Sequence, residues 1–279
     1  MLTVHPSGAS CGASVSGADL SAPLDPMTIR EIRNAWLKHR VLAFPDQHLD
    51  NDALERFTIA MGGFGKDPFF DPIPGRRHIA AIKREADEKT PLFAENWHSD
   101  WSFLARPPAG TCLTALEIPP QGGDTLFSDQ IAAFHALPEV RKSALRTLTA
   151  IHSARGAYAP DGAYGDKDEG RTMAIRPDKS AFGTQEHRLI QKHPETGEEA
   201  IFSCLGYIIG IKGLPDADAF ELLAELIEWQ GREQFIYRHS WSEGMLVMWD
   251  NRSVLHKATG GYEGFRRKLH RTTIAAWDG

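Results

Sequence analysis

Cysteine is scarce in this chain: three occur in 279 residues. They stand at Cys11, Cys112 and Cys204, far apart and without C-x-x-C spacing. That excludes a disulfide framework and a cysteine-based zinc site, and leaves three free core thiols as the expectation. A basic block is also missing. Lys and Arg total 31 against 37 Asp and Glu, a net charge of −6, so the chain lacks the electrostatic footprint of a nucleic-acid binder. No apolar run reaches membrane-spanning length. The start, Met1-Leu2-Thr3-Val4-His5-Pro6, has no charged segment leading into an apolar one, as a secretory signal would. Internal repeats and low-complexity tracts are absent too. A cytoplasmic protein with neither nucleic acid nor membrane as partner is expected.

What is present is ordinary globular composition, 42% hydrophobic and 24% charged. Sheet-rich domains often run to this length, so a single domain over 1–279 is expected. Asp25-Pro26 offers an N-cap and a proline at the first helical position, with Ile29, Ile32 and Trp36 following at helical spacing, which predicts a helix over 27–39. Val41 to Phe44 reads as a buried strand. A second helix follows Asp50, with Leu54, Phe57 and Met61 on one face and Gly62-Gly63 as its stop. Residues 64–92 alternate Pro, Gly and charge, with one strand near His78–Ile82; the aromatic content of the segment predicts a lid. Strands are expected at 97–103, 111–118 and 125–128, then helix through 129–150 and an exposed loop at 156–172. Further strands are expected at 186–192, 200–204, 234–240, 245–249, 252–258 and 267–276. Asp216 to Trp229 reads as an amphipathic helix with Phe220, Leu223 and Ile227 in register. Many strands with a few helices predict a mainly β, α+β chain: a jelly-roll barrel carrying helical insertions.

The chemistry concentrates at Asn96-Trp97-His98-Ser99-Asp100-Trp101-Ser102-Phe103. In a strand, residues i and i+2 face the same side, so His98 and Asp100 would point together, as two ligands of one metal must. With one more histidine they would form the 2-His-1-carboxylate set of non-haem Fe(II) oxygenases. His48-Leu49-Asp50 repeats the spacing, but Asp50 opens an amphipathic stretch and reads better as an N-cap. The third ligand should come from a late strand, and Met248 to His256 supplies His256. Asp250 is a rival carboxylate, although Trp249-Asp250-Asn251-Arg252 looks like a turn.

After the Gly260-Gly261 turn, a returning strand puts Arg267, Leu269 and Arg271 on one face and Lys268 and His270 on the other. An unpaired buried guanidinium is costly, so the two arginines should meet anionic groups. At about 3.3 Å per residue they stand roughly 13 Å apart, far enough to serve two anions. The competing reading pairs one of them with a protein carboxylate at the barrel rim.

With these motifs in view, the chain resembles the taurine/2,4-D dioxygenase (TauD/TfdA) family of Fe(II)- and 2-oxoglutarate-dependent oxygenases. The resemblance rests on Trp97-His98-Ser99-Asp100, Gly122-Gly123-Asp124-Thr125-Leu126, Trp249-Asp250-Asn251-Arg252 and His270-Arg271-Thr272-Thr273-Ile274, and on their order and intervals. It implies that His98, Asp100 and His256 hold iron, and that Thr125 and Arg267 bind the distal carboxylate of 2-oxoglutarate. It implies further that Arg271 reaches the anionic group of the prime substrate, with the Trp101 backbone N–H and the side chains of Phe103 and Tyr207 lining the pocket. The implied reaction converts 2-oxoglutarate and O2 to succinate and CO2 while hydroxylating a C–H bond of a small organic acid. An aryloxyalkanoate, a sulfonate or a sulfate ester would suit. A homo-oligomer, dimer or tetramer, is the expected assembly.

The resemblance breaks at two places. Where the taurine-binding members carry His-Pro-x-Tyr, this chain has Asp67-Pro68-Phe69-Phe70, and four residues before His98 it has Ala94 in place of Asn. Asp67 is expected either to lie outside the pocket or to partner a cation or hydroxyl of the substrate. An acid with a more apolar body than taurine is therefore expected. The alternative from another class is a cupin-like metal protein, a small-acid sensor or a metal isomerase, which would have no reason to keep the Thr125/Arg267 pair.

Overall fold

A computed structural model describes residues 2–276. The chain opens with β1 (Thr3–Pro6) and β2 (Ala13–Ser16), then α1 (Pro26–His39), β3 (Val41–Phe44) and α2 (Asn51–Ala60). The Asp25 carboxylate accepts from the backbone N–H groups of Met27 and Thr28, and the Asp50 carboxylate from that of Ala53. Both caps thus satisfy donors that the first helical turn leaves free, and the second one accounts for the aspartate of the His48 decoy. There follow β4 (Ala80–Arg84), β5 (Gly110–Glu117), β6 (Thr125–Asp129), α3 (Gln130–His135), α4 (Glu139–Arg146), β7 (Thr149–Ser153) and the single turn α5 (Arg155–Tyr158). The expected helix over 129–150 is therefore two short ones, broken at Leu137-Pro138, with a strand taking its last residues. Pro138 cannot continue α3 and instead caps α4.

The second half contains β8 (Thr184–Arg188), β9 (Ile190–Lys192), β10 (Glu199–Ile201), β11 (Ile208–Ile211), α6 (Asp216–Gln230), β12 (Ile236–His239), β13 (Leu246–Asp250), β14 (Val254–Ala258) and β15 (Arg267–Ile274). On α6 the register differs from expectation. Ala219, Leu223, Leu226 and Gln230 are buried, whereas Phe220 is 62% exposed. The buried stripe runs one residue ahead of the aromatic, and Ala219, Leu223 and Leu226 share a core with Ala150, Ile208 and Ile211.

A seven-stranded sheet of order β1-β2-β3-β13-β5-β15-β4 faces a three-stranded sheet of order β12-β6-β14. Between them pack Leu113, Ala115, Phe127, Val247, Trp249, Val254 and Leu269. The opposite face of the large sheet, carrying Leu42, Phe44, Cys112, Leu246 and Met248, is covered by α1 and α2 through Ile32, Trp36, Leu54 and Phe57. Period-two alternation along β3 and β13 thus serves two cores. This is the jelly-roll architecture expected of the sequence. The three cysteines are free and buried, and among the described residues no helix is long and apolar enough to cross a membrane.

β15 sets the active site. Leu269 points into the barrel, so Arg267 and Arg271 point there as well, and both are buried. The other face turns to α2: His270 Nδ1 lies 2.8 Å from Asn51 Oδ1 and the Thr272 hydroxyl 2.6 Å from that of Thr58.

Candidate active site

His98 and Asp100 converge, though not through a strand. Only His98 pairs, in an isolated antiparallel bridge with His256 of β14, and residues 100–103 form a turn with Trp101 at φ 52°. The expected strand at 97–103 is thus corrected to a bridge followed by a left-handed turn. The bridge's two backbone hydrogen bonds, 3.1 and 2.9 Å, hold the imidazoles side by side, with ring centroids 4.2 Å apart. The turn then swings the Asp100 carboxylate back toward them. Asp100 Oδ1 lies 3.6 Å from His98 Nε2 and 3.7 Å from His256 Nε2, and one ligand atom from each residue falls within 4.8 Å of the other two. Three such donors can take one divalent cation on one side and leave its other positions open.

Neighbouring groups orient these donors. His98 Nδ1 faces the Asn96 carbonyl at 2.9 Å, which leaves Nε2 with its lone pair toward the cluster. The Thr111 hydroxyl donates to Asp100 Oδ2 at 2.6 Å, Asn251 Nδ2 donates to Thr111 Oγ1 at 2.9 Å, and Trp249 Nε1 donates to Asn251 Oδ1 at 2.9 Å. This relay fixes the carboxylate plane and leaves Oδ1 to the cluster. Thr111 and Asn251 were not foreseen as site residues. The Trp249-Asp250-Asn251-Arg252 motif was the available signal for Asn251, while Thr111 had none, because β5 reaches the site only through sheet pairing. Burial opposes ionisation of Asp100, but the Arg271 cation and the Thr111 bond outweigh it and hold the carboxyl below its usual range. Burial, with His98 and Arg271 nearby, pushes His256 down to about 3, keeping it a neutral imidazole.

The rival carboxylate Asp250 is committed elsewhere. It accepts from Arg252 Nε at 2.8 Å and Nη2 at 2.6 Å, with His193 Nε2 2.9 Å away. His48 lies exposed at φ 47° against Gly244, outside the cluster.

One cavity joins His98, Asp100 and His256 to Thr125, Arg267 and Arg271. Among the described residues, no carboxylate stands within ion-pair distance of Arg267. Its Nε is buried without a hydrogen-bond partner, and its guanidinium lies 5.6 Å from the Trp241 ring. Burial pushes its pKa down, partly offset by Tyr262 and Asp124. Trp241 Nε1 donates to Thr125 Oγ1 at 3.0 Å, so the threonine's own proton is free to be donated. The Gly122-Gly123 pair explains itself here. Both glycines have positive φ, near 70°, and a Cβ on Gly122 would collide with the backbone of Gly261. The loop can therefore lie flat against Arg267.

Arg271 is different. Its Nη2 donates to Asp67 Oδ2 at 2.6 Å, and its guanidinium lies 4.4 Å from the Phe70 ring centre and 5.2 Å from that of Trp101. The rim-carboxylate reading therefore holds for this arginine, and Asp67, which is not among the residues lining the cavity, lies outside it as the first of the two expectations had it. Trp101, Phe103 and Tyr207 do not line the main cavity. They belong to an aromatic cluster with Phe69, Phe70 and Tyr158 behind it, and Tyr207 borders a neighbouring cavity that also touches His98. The loop at 156–172 is likewise not simply exposed. Tyr158 is buried in that cluster, and Tyr164 packs on Phe93 at 5.1 Å. The proposed lid is tied down by a Phe70–Ile175 bridge and by the Arg176 N–H donating to the Phe69 carbonyl at 2.8 Å.

Comparison with known proteins agrees with this geometry. Residues 3–273 match the family described as "Taurine catabolism dioxygenase TauD, TfdA family". The chain is 31% identical to an alpha-ketoglutarate-dependent sulfate ester dioxygenase of Pseudomonas putida, over 98% of this chain and 89% of that one. It is 34% identical to an alpha-ketoglutarate-dependent 2,4-dichlorophenoxyacetate dioxygenase of Cupriavidus pinatubonensis, over 94% and 93% respectively. A solved taurine dioxygenase from Burkholderia xenovorans superposes with a TM-score of 0.81 at 27% identity, covering 99% of this chain and 91% of its own. A barrel that gathers two histidines and an aspartate beside a buried, unpaired arginine, in a chain matched over nearly its whole length, belongs to the TauD/TfdA family of 2-oxoglutarate-dependent dioxygenases.

Proposed function

We propose that this dioxygenase uses Fe(II), 2-oxoglutarate and O2 to hydroxylate a C–H bond of a small organic acid with an apolar body. An aryloxyalkanoate, a sulfate ester or a sulfonate other than taurine fits this description. The observation that carries the reading is Arg267, a buried cation without a counter-ion among the described residues, in the same cavity as the His98–Asp100–His256 cluster. A sensor or isomerase has no use for such a group, whereas a 2-oxo diacid supplies its missing anion.

The donor set suits Fe(II): two neutral imidazoles and one carboxylate leave a bound divalent cation with net positive charge, which favours a chelating 2-oxo acid. Bound there, the iron would supply the centre at which O2 and 2-oxoglutarate react to give succinate and CO2 while an oxygen atom enters the substrate. The rest falls to the chain's own residues. Arg267 pairs with the distal carboxylate and the Thr125 hydroxyl donates to it, which sets the cosubstrate's orientation. Thr111 and Asn251 keep Asp100 aimed. Trp249 and Phe127, with ring centres 4.7 and 6.1 Å from that of His256, exclude water from that side. Ile82, Leu92, Phe93, Leu113 and Met173 form an apolar wall for the substrate body. Arg271 sits at the acid end, with Trp101 and Phe103 beneath it and Tyr207 beside His98.

Anaerobic addition of Fe(II) and 2-oxoglutarate should give a weak visible absorption band, which Arg267→Met should diminish at a fixed 2-oxoglutarate concentration. A screen of aryloxy acids, sulfate esters and sulfonates for stimulated succinate release then identifies the substrate. Lack of both the band and any stimulated succinate would overturn the proposal.

A further inference from the structure

Arg267 and Arg271 occupy the same face of one strand, yet they are in opposite electrostatic states. Among the described residues Arg267 has no carboxylate partner, whereas Arg271 already holds the Asp67 carboxylate at 2.6 Å. That contact is not a chance meeting of two mobile side chains. Asp67 is fixed on both sides: the Gly65 N–H donates to the Thr273 carbonyl at 2.9 Å, and Phe69 and Phe70 are each only 3% exposed. The guanidinium in turn is confined between the Phe70 and Trp101 rings. Burial pushes the Asp67 carboxyl above its usual range and Arg271 opposes that shift; removing either partner would leave the other without its counter-charge.

We infer that Asp67 is a specificity-determining residue, a resident counter-ion that lowers the affinity of Arg271 for an incoming anion. An acid arriving at Arg271 must share the guanidinium with a fixed carboxylate and bear its repulsion. The penalty is about the same for every acid, but small, compact anions have little else to bind with, because the anionic group supplies most of their binding. Acids with a large apolar body lose proportionally less, because the wall of Ile82, Leu92, Phe93, Leu113 and Met173 supplies the difference. The site therefore leaves useful affinity only to acids that bring an apolar body to that wall. This deepens the function proposed above and rests on its placing the substrate's acid end at Arg271.

The test uses calorimetric binding of phenoxyacetate and of the neutral phenoxyacetamide to the 2-oxoglutarate-loaded protein, with Mn(II) in place of Fe(II). Asp67→Asn keeps the size and removes the charge. It should tighten phenoxyacetate binding by about tenfold or more, and leave phenoxyacetamide and 2-oxoglutarate within about twofold. The gain should vanish when Arg271→Gln is added. Phenoxyacetate binding that is unchanged, weaker, or undetectable in both proteins overturns the inference, as does an equal gain for the amide. If Asp67→Asn does not fold, Asp67→Ser carries the same comparison. In turnover, the variant's gain should appear in KM with kcat nearly constant. Failure of the functional proposal would register separately, as succinate release that no acid stimulates while the binding difference persists.

Discussion

Replacing Arg267 with methionine should separate stability from binding in an unusual direction. In most proteins, deleting a buried arginine breaks an ion pair and destabilises the fold. Arg267 has no such pair among the described residues: its Nε is buried and unpartnered, and burial already pushes its pKa down. Methionine keeps the apolar stem beside Trp241 and removes a charge whose burial is costly. The ligand-free protein should therefore be as stable as wild type, or more stable by about 1 kcal/mol, a rise of roughly 2–4 °C in Tm. Binding should move the other way. Losing the charge-assisted hydrogen bonds to the distal carboxylate should cost about 2–4 kcal/mol. At 1.4 kcal/mol per decade this raises the KM for 2-oxoglutarate by about 30- to 700-fold. Arg271→Met is the internal contrast. It strands the Asp67 carboxylate, one of whose oxygens is already buried without a partner. Because the Asp67 side chain is 20% exposed, the full penalty for an orphaned buried charge is discounted to about 2–3 kcal/mol of lost stability. Thermal unfolding with and without 2-oxoglutarate, together with initial rates, measures both effects. If Arg267→Met unfolded well below wild type while its 2-oxoglutarate KM stayed within about twofold, the arginine would be structural and the reasoning wrong.

Three further outcomes are expected. His98→Ala, Asp100→Ala and His256→Ala should each abolish turnover and metal-dependent stabilisation, whereas His48→Ala should leave both near wild type; equal damage from the His48 change would misplace the metal site. Thr111→Val removes the hydrogen bond to Asp100 Oδ2 at nearly constant volume, and should weaken metal affinity about 10- to 100-fold with little change in 2-oxoglutarate recognition once metal is saturating. His152 is fully buried, and burial, with His187 adjacent, lowers its pKa from 6.5 to about 3. A depressed histidine takes up its proton on unfolding, so its stabilising contribution is whole above pH 6.5 and is lost as pH falls toward 3. About 2 kcal/mol should disappear between pH 6.5 and 5. His152→Gln should flatten that part of the stability curve, and an unchanged slope would rule the histidine out as its cause.

Much of this was legible in the linear sequence because it depends on local chemistry. The capped helices after Asp25 and Asp50 follow from side chains bonding their own next turn. The two-faced strands Val41–Phe44 and Leu246–Asp250 follow from residue alternation. The spacing of Arg267 and Arg271 places both on one face wherever that strand lies, and His98, Asp100 and His256 carry a family's signature in order and interval. Other features are decided only by what packs against what. His98 and Asp100 converge because a bridge to His256 and a left-handed turn at Trp101 bring them together, a geometry that strand periodicity does not contain. Phe220 is exposed although its spacing is helical, since the core beside α6 takes up Ala219, Leu223 and Leu226 instead. Above all, the sequence requires partners for two buried arginines but cannot say which partner is already present. Asp67 and Arg271 stand 204 residues apart, and only the docking of the 64–79 segment against β15 makes one guanidinium half of an ion pair and leaves the other to a ligand.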